Sequence, residues 1–154
     1  MKKRVVFVGA GMRALYAFMF HIKEHCSDSV EIVGLFDVNE VVMKGFNDCI
    51  GADYPMFTDF DTMCDTVKPD LAIVTTVDQF HAPYIIRLLD RKIGVICEKP
   101  VCTTAEQCKE ILEARKRNPE VFARVSHNAR YSNDALKLYE LVQSGTIGKV
   151  ISVR

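Results

Sequence analysis

Short, wholly apolar runs alternate along this chain with segments whose apolar positions recur every three to four residues. Val5-Val6-Phe7-Val8 sets the pattern. Four apolar residues in a row, three of them β-branched, predict a strand buried on both faces. Val30 to Phe36, Leu71 to Val74, Ile93 to Cys97 and Val121 to Ser126 read as further strands, and Pro55 to Thr58 as a short one. Between them, Met12 to His25 places Leu15, Phe18, Met19 and Ile22 at helical spacing. Asn39 to Ile50 predicts a second helix, closed by Gly51, and Asp59 to Val67 a short one. His81 to Arg91 is helical, with Pro83 tolerated in its first turn. Thr103-Thr104-Ala105-Glu106 resembles a capping box that opens a helix through Arg117, ended by Asn118-Pro119. A last helix, Asn133 to Ser144, is capped by Ser132 or Asn133 and stopped by Gly145. Gly148 to Arg154 then begins another strand.

Such alternation predicts an α/β fold: a doubly wound, mostly parallel sheet with helices on both faces. Ligands in such sheets bind beyond the carboxyl ends of the strands. Gly9, Asp37, Thr75-Thr76, Glu98-Lys99 and His127-Asn128 all fall there, which makes them the candidate site. At 154 residues the chain suits one domain with a real core. The expected division is a nucleotide-binding domain over 1–128, followed by a connecting helix and the first strand of a second domain over 129–154.

Two of these strand ends carry specific chemistry. After the first strand, Gly9-x-Gly11-x-x-Ala14 and the helix starting at Met12-Arg13 form a dinucleotide-binding fingerprint. Gly9 permits a tight turn, Gly11 has no side chain to keep a pyrophosphate away, and Ala14 lets helix pack closely on strand. The helix start offers free N–H groups to phosphate. Asp37 follows 23 residues beyond Ala14, where a carboxylate accepts hydrogen bonds from ribose hydroxyls and repels a 2′-phosphate. That places NAD ahead of NADP; a turn aspartate before Asn39 is the plainer explanation. At the second end stands Glu98-Lys99-Pro100. A lysine there is partly desolvated, suited to proton transfer and to holding a substrate oxygen. A Glu–Lys ion pair at the sheet rim explains the same residues, and the residues alone leave the two readings level.

Composition removes several other function classes. Formal net charge is zero, with no basic stripe or acidic tail to argue for nucleic acid or a membrane surface. The Arg115-Lys116-Arg117 run matches the dipole at a solvated helix end. The opening Met1-Lys2-Lys3-Arg4-Val5 mimics a signal peptide, but the glycine pair and Arg13 interrupt its apolar run. No stretch is apolar enough to span a bilayer. Six scattered cysteines lack a CxxC pair or metal-ligand spacing, so they read as reduced, structural thiols of a cytoplasmic protein, with no metal site expected.

Taken together, the residues Gly9-Ala10-Gly11-Met12-Arg13, Asp37, Asp70 to Val74, His81, Glu98-Lys99-Pro100, Asn128-x-Arg130 and Gly145 to Val150 resemble the Gfo/Idh/MocA oxidoreductases. The resemblance covers essentially the whole chain. It implies a Rossmann domain binding NAD(P), followed by a larger open-faced sheet domain that holds substrate and builds homo-oligomers. Lys99 is then expected beside the nicotinamide, in contact with the reacting oxygen of a carbohydrate-like substrate, as the catalytic residue. Glu98 and Asn128 match positions near the nicotinamide, and His81 matches a histidine at the mouth of the following helix, where a helix-start hydrogen-bonder fits equally well; with Thr75 and Thr76 at their strand end it joins the cofactor-binding candidates. Asp78 replaces an asparagine frequent in the family, three residues before the histidine. The family's second-domain Asp and His have no counterpart in these 154 residues, so the chain alone is expected to bind dinucleotide without turning substrate over. The same scaffold also serves NAD-dependent glycosidases and non-catalytic, metabolite-sensing regulators.

Overall fold

Val5, Val6, Phe7 and Val8 are each at most 1% exposed in the computed structural model, which describes residues 1–153. They form the body of β1 (Lys3–Val8), the centre of a six-stranded sheet. The other strands are β2 (Val30–Phe36), β3 (Met56–Phe57), β4 (Leu71–Val74), β5 (Gly94–Glu98) and β6 (Ala123–Ser126). Their order is β3-β2-β1-β4-β5-β6, and every pairing is parallel. The order reverses between β1 and β4, the position where doubly wound sheets open a crevice for ligands.

Alternate β1 side chains feed two separate cores. Val5 and Phe7 pack with Leu15, Met19, Met43 and Phe46 on one face. Val6 and Val8 join Phe36, Phe60, Met63, Leu88 and Ala114 on the other. Burying one such side chain contributes about 1.5–3 kcal/mol, so the strand anchors both layers. The helices doing the covering are α1 (Met12–Ala14 with its continuation to Cys26), α2 (Glu40–Ile50), α3 (Phe60–Val67), α4 (His81–Asp90) and α5 (Ala105–Arg117). A last helix, α6 (Asn133–Gln143), buries none of its residues.

Most expected boundaries are met within a residue or two, and three depart in informative ways. The first helix, α1, opens as Met12–Ala14 and continues through two π-helical turns, Leu15–Met19 and Ile22–Cys26. Leu15 and Met19, four residues apart, are both buried, and a widened turn keeps such a pair on one face as well as an α-turn does. The α5 cap lies one residue later than the predicted box. Thr104 accepts from Gln107 N, while Gln107 Oε1 accepts from Thr103 N. Finally, residues 148–153 join none of the six strands and form no strand of their own; Arg154 lies outside the described residues.

Candidate nucleotide-binding cleft

The turn after β1 is shaped by what touches it. Gly9 sits at φ +93°, and a Cβ there would lie 2.6 Å from Thr76 N and 2.8 Å from the Thr75 carbonyl carbon. The end of β4 therefore packs backbone to backbone on the turn, and Thr75 Oγ1 donates to Gly9 O at 2.6 Å. On the opposite side, Gly9 N donates to Phe36 O at 2.8 Å, and Ala10 N to Asp37 Oδ2 at 3.0 Å. Strand ends β2 and β4 thus clamp the glycine turn between them. Gly11 differs: a Cβ there would meet nothing within 4 Å. The N–H groups of Gly11, Met12 and Arg13 find no acceptor among the described residues. Three donors beside an open glycine form a cradle for an anionic group.

Beside this cradle lies a cleft of about 460 Å³, lined by Gly9, Gly11, Met12, Arg13, Asp37, Thr75 and Thr76. All seven are expected site residues. Six further lining residues escape the sequence reading: Phe36, Val38, Val42, Val77, Phe80 and Tyr84. A signal for them exists. Val38 and Val77 are 80% and 67% exposed just past strand ends, where polar residues are the rule, so an apolar partner face is built in. Burial pushes the Tyr84 hydroxyl above its usual pKa, with Asp37 adding to the rise and Arg87 opposing it.

Asp37 has two occupations. Its Oδ2 accepts from Ala10 N and its Oδ1 from Asn39 N, both at 3.0 Å. The turn role is therefore real, yet each carboxylate oxygen can accept a second hydrogen bond, leaving capacity for ribose hydroxyls.

Glu98 ends β5 with its side chain 5% exposed, and Arg13 reaches it at 2.7 Å. The other carboxylate oxygen accepts from Lys99 N at 3.2 Å. Arg13 and Glu98 thereby connect the glycine turn to the lysine turn, a contact between residues 85 positions apart. The Glu98–Lys99 ion pair, the plainer of the two readings, does not form among the described residues. Lys99 is also exposed, contrary to the expected desolvation, because it stands one residue past the buried end of β5. Its ammonium makes no ion pair among the described residues.

His81 departs from expectation as well. It is 1% exposed and lines no part of the cleft. Its ring nitrogens face two carbonyl oxygens instead, Nδ1 to Pro100 O at 2.6 Å and Nε2 to Thr76 O at 3.0 Å. The ring braces the turn after β4 against the turn after β5. Asn128 is exposed in a 3-10 turn (Asn128–Tyr131) beyond β6, outside the cleft lining.

A parallel sheet with this strand order, a clamped glycine turn at the reversal point and an acidic residue ending the next strand define a dinucleotide-binding Rossmann domain. Comparison with known proteins makes this specific. Residues 3–127 match the Gfo/Idh/MocA family, described as an oxidoreductase family with an NAD-binding Rossmann fold, and the chain belongs to that family. It is 36% identical over 157 residues to YteT of Bacillus subtilis, covering 98% of this chain and 36% of YteT. It is 28% identical over 148 residues to the D-glucoside 3-dehydrogenase of Escherichia coli, covering 96% of this chain and 41% of that protein. The WlbA dehydrogenase of Bordetella pertussis, solved with NADH and UDP-GlcNAcA, superposes with a TM-score of 0.84 at 23% identity, over 97% of this chain and 44% of WlbA. The chain thus spans well under half the length of these relatives. Among the described residues, no helix is long and apolar enough to cross a membrane.

Proposed function

We propose that this chain is the cofactor-binding part of an NAD-dependent dehydrogenase acting on a sugar, polyol or related hydroxylated compound. The observation that carries the reading beyond binding is the line from the glycine turn through Arg13 and Glu98 to Lys99. It holds the backbone of the exposed Lys99 just past the end of β5, two strands from the turn that would hold a pyrophosphate. The residues fit a dinucleotide: Gly11 leaves open space and three free N–H groups converge beside it. In this reading the Gly11, Met12 and Arg13 amides bind the pyrophosphate, and Val38, Val42 and Phe80 shield the adenine. Asp37 accepts from the ribose hydroxyls and repels a 2′-phosphate, favouring NAD over NADP. Bound nicotinamide supplies the hydride acceptor or donor. Lys99 Nζ holds the reacting substrate oxygen and takes or returns its proton.

Substrate is held by a second unit corresponding to the remaining length of the relatives, with residues 129–154 leading into it. The open apolar side chains of α6, Leu136, Leu138, Tyr139 and Val142, support that placement. The same unit builds the homo-oligomer. All six cysteines are free, in keeping with a cytoplasmic setting.

The test has two arms. Fluorescence titration of the chain should show saturable NADH binding, weaker NADPH binding, and loss with Gly11→Ala. In the longer protein, Lys99→Ala should abolish dehydrogenation of sugars and polyols while NADH affinity holds. No NADH binding by the chain, or full turnover by Lys99→Ala, overturns the proposal.

A further inference from the structure

At the far end of α1 from the cleft, His21, Glu24 and His25 occupy one helical face. One ligand atom from each lies within 4.8 Å of the other two. Glu24 Oε2 and His25 Nε2 are 3.5 Å apart, and the two imidazole rings stack with planes 14° apart and centroids at 6.3 Å. We propose that these three residues form a divalent transition-metal site, with Zn²⁺ the metal that fits best.

Three observations meet here. The first is the ligand set. Imidazole and carboxylate together suit borderline cations such as Zn²⁺, whereas Ca²⁺ and Mg²⁺ take all-oxygen sites. The second is geometry. Bonds of about 2.0–2.1 Å put tetrahedral ligands about 3.4 Å apart, which the Glu24–His25 separation already matches. All three side chains are exposed, so bringing His21 in needs a rotamer change rather than a backbone movement. The third is local structure. The ligands lie at and just before the Ile22–Cys26 π-turn, whose wider path stacks residues four apart. This is also the carboxyl end of the helix, where the negative end of the dipole favours a cation.

Three protein ligands leave one tetrahedral position for water or an outside donor, the pattern of an open rather than a closed zinc site. The metal would staple the last turn of α1, ahead of the Ser27–Ser29 connection into β2. It lies apart from the cleft and takes no part in nucleotide binding. The exposed thiols of Cys26, Cys49 and Cys108 are competing zinc ligands.

Isothermal titration of the metal-free chain with ZnCl₂ under reducing conditions tests the assignment, run alongside MgCl₂. The expected result is 1:1 zinc binding at micromolar concentration, no magnesium response, and a higher thermal midpoint with zinc. His21→Ala and His25→Ala should each weaken zinc binding about tenfold or more, since each removes one of three ligands. His127→Ala, an exposed histidine elsewhere, should leave it unchanged. Zinc should move the ring NMR signals of His21 and His25 while that of His81 stays in place. Zinc affinity unchanged in both His21→Ala and His25→Ala, or lost on alkylating the thiols alone, overturns the site. So does binding only at millimolar zinc.

Discussion

The two glycines of the turn after β1 should fail in opposite ways when given a methyl group. At Gly9 the new Cβ would lie 2.6–2.9 Å from backbone atoms of Thr75 and Thr76, which have no rotamer with which to retreat. A non-glycine residue at φ +93° adds strain of about 1–3 kcal/mol, and shifting the packed backbone adds about 1–3 kcal/mol more. The sum, about 2–6 kcal/mol, is a large share of the about 5–15 kcal/mol that holds a typical domain together. With a urea dependence of about 1–3 kcal/mol per molar, Gly9→Ala should lower the unfolding midpoint by at least about 0.7 M. Gly11→Ala meets nothing and keeps an ordinary backbone, at φ −76°. Its poorer helix cap and its stiffer unfolded chain nearly offset, leaving stability within about 1 kcal/mol of the parent. Nucleotide affinity should nevertheless drop about tenfold or more, because the methyl occupies the approach to the three free amides. Circular dichroism in urea reads the first effect and NADH fluorescence the second. A Gly9→Ala midpoint equal to the parent's would refute the close approach of β4. Parental NADH affinity in Gly11→Ala would refute the cradle.

Asp37→Ser should weaken NADH binding and relax discrimination against NADPH, measured by parallel titrations; tighter NADPH binding by the parent would sink the argument. Arg13→Ala leaves the buried Glu98 carboxylate without its partner and, as Arg13 is itself half exposed, should destabilise by about 1–3 kcal/mol. Adding Glu98→Gln should restore part of that loss in a denaturation double-mutant cycle; additive losses would show the pair is not coupled. Burial raises the Cys64 thiol to about 11 and the Cys97 thiol to about 12. A raised folded-state pKa means that the stabilisation is complete below the unfolded thiol value and is lost as pH rises toward the folded values. The urea midpoint should therefore fall between pH 9 and pH 11, and less steeply in Cys97→Ala; a flat profile would contradict the burial of both thiols. At pH 8 a thiol reagent should modify Cys26, Cys49 and Cys108 quickly, and Cys64 and Cys97 only on unfolding.

Much of the fold could be read from the chain because its strands are doubly buried. Val5 to Val8 and Leu71 to Val74 cannot face water on either side, and the structure places both at the sheet's centre. The glycine turn was legible for the same local reason: its residues are contiguous. What escaped depends on distance or on near-degenerate local choices. Thr103 and Thr104 each stand three residues before a glutamate or glutamine, and the path of the chain leaving β5 decides which one caps. Arg13 and Glu98 meet only because β1 and β5 flank the same strand. The exposure of Lys99 reflects what is packed above it, a matter its neighbours in sequence do not encode. The His21–Glu24–His25 face carries its signal in histidines four apart on a helix, a spacing that the cysteines of the chain do not reveal.

His81 carries a consequence of another kind. A ring sealed at 1% exposure, with one nitrogen on the Thr76 carbonyl and the other on the Pro100 carbonyl, ties together the loops that follow β4 and β5. One of those loops lines the cleft and the other presents the lysine. Neither can drift without dragging its neighbour, so the floor of the cleft and the Lys99 turn behave as one rigid unit. Such rigidity makes ligand binding less demanding in lost freedom, because the ordering has been done during folding. A substitution at His81 would thus be felt as lost alignment between two groups it never touches in solution.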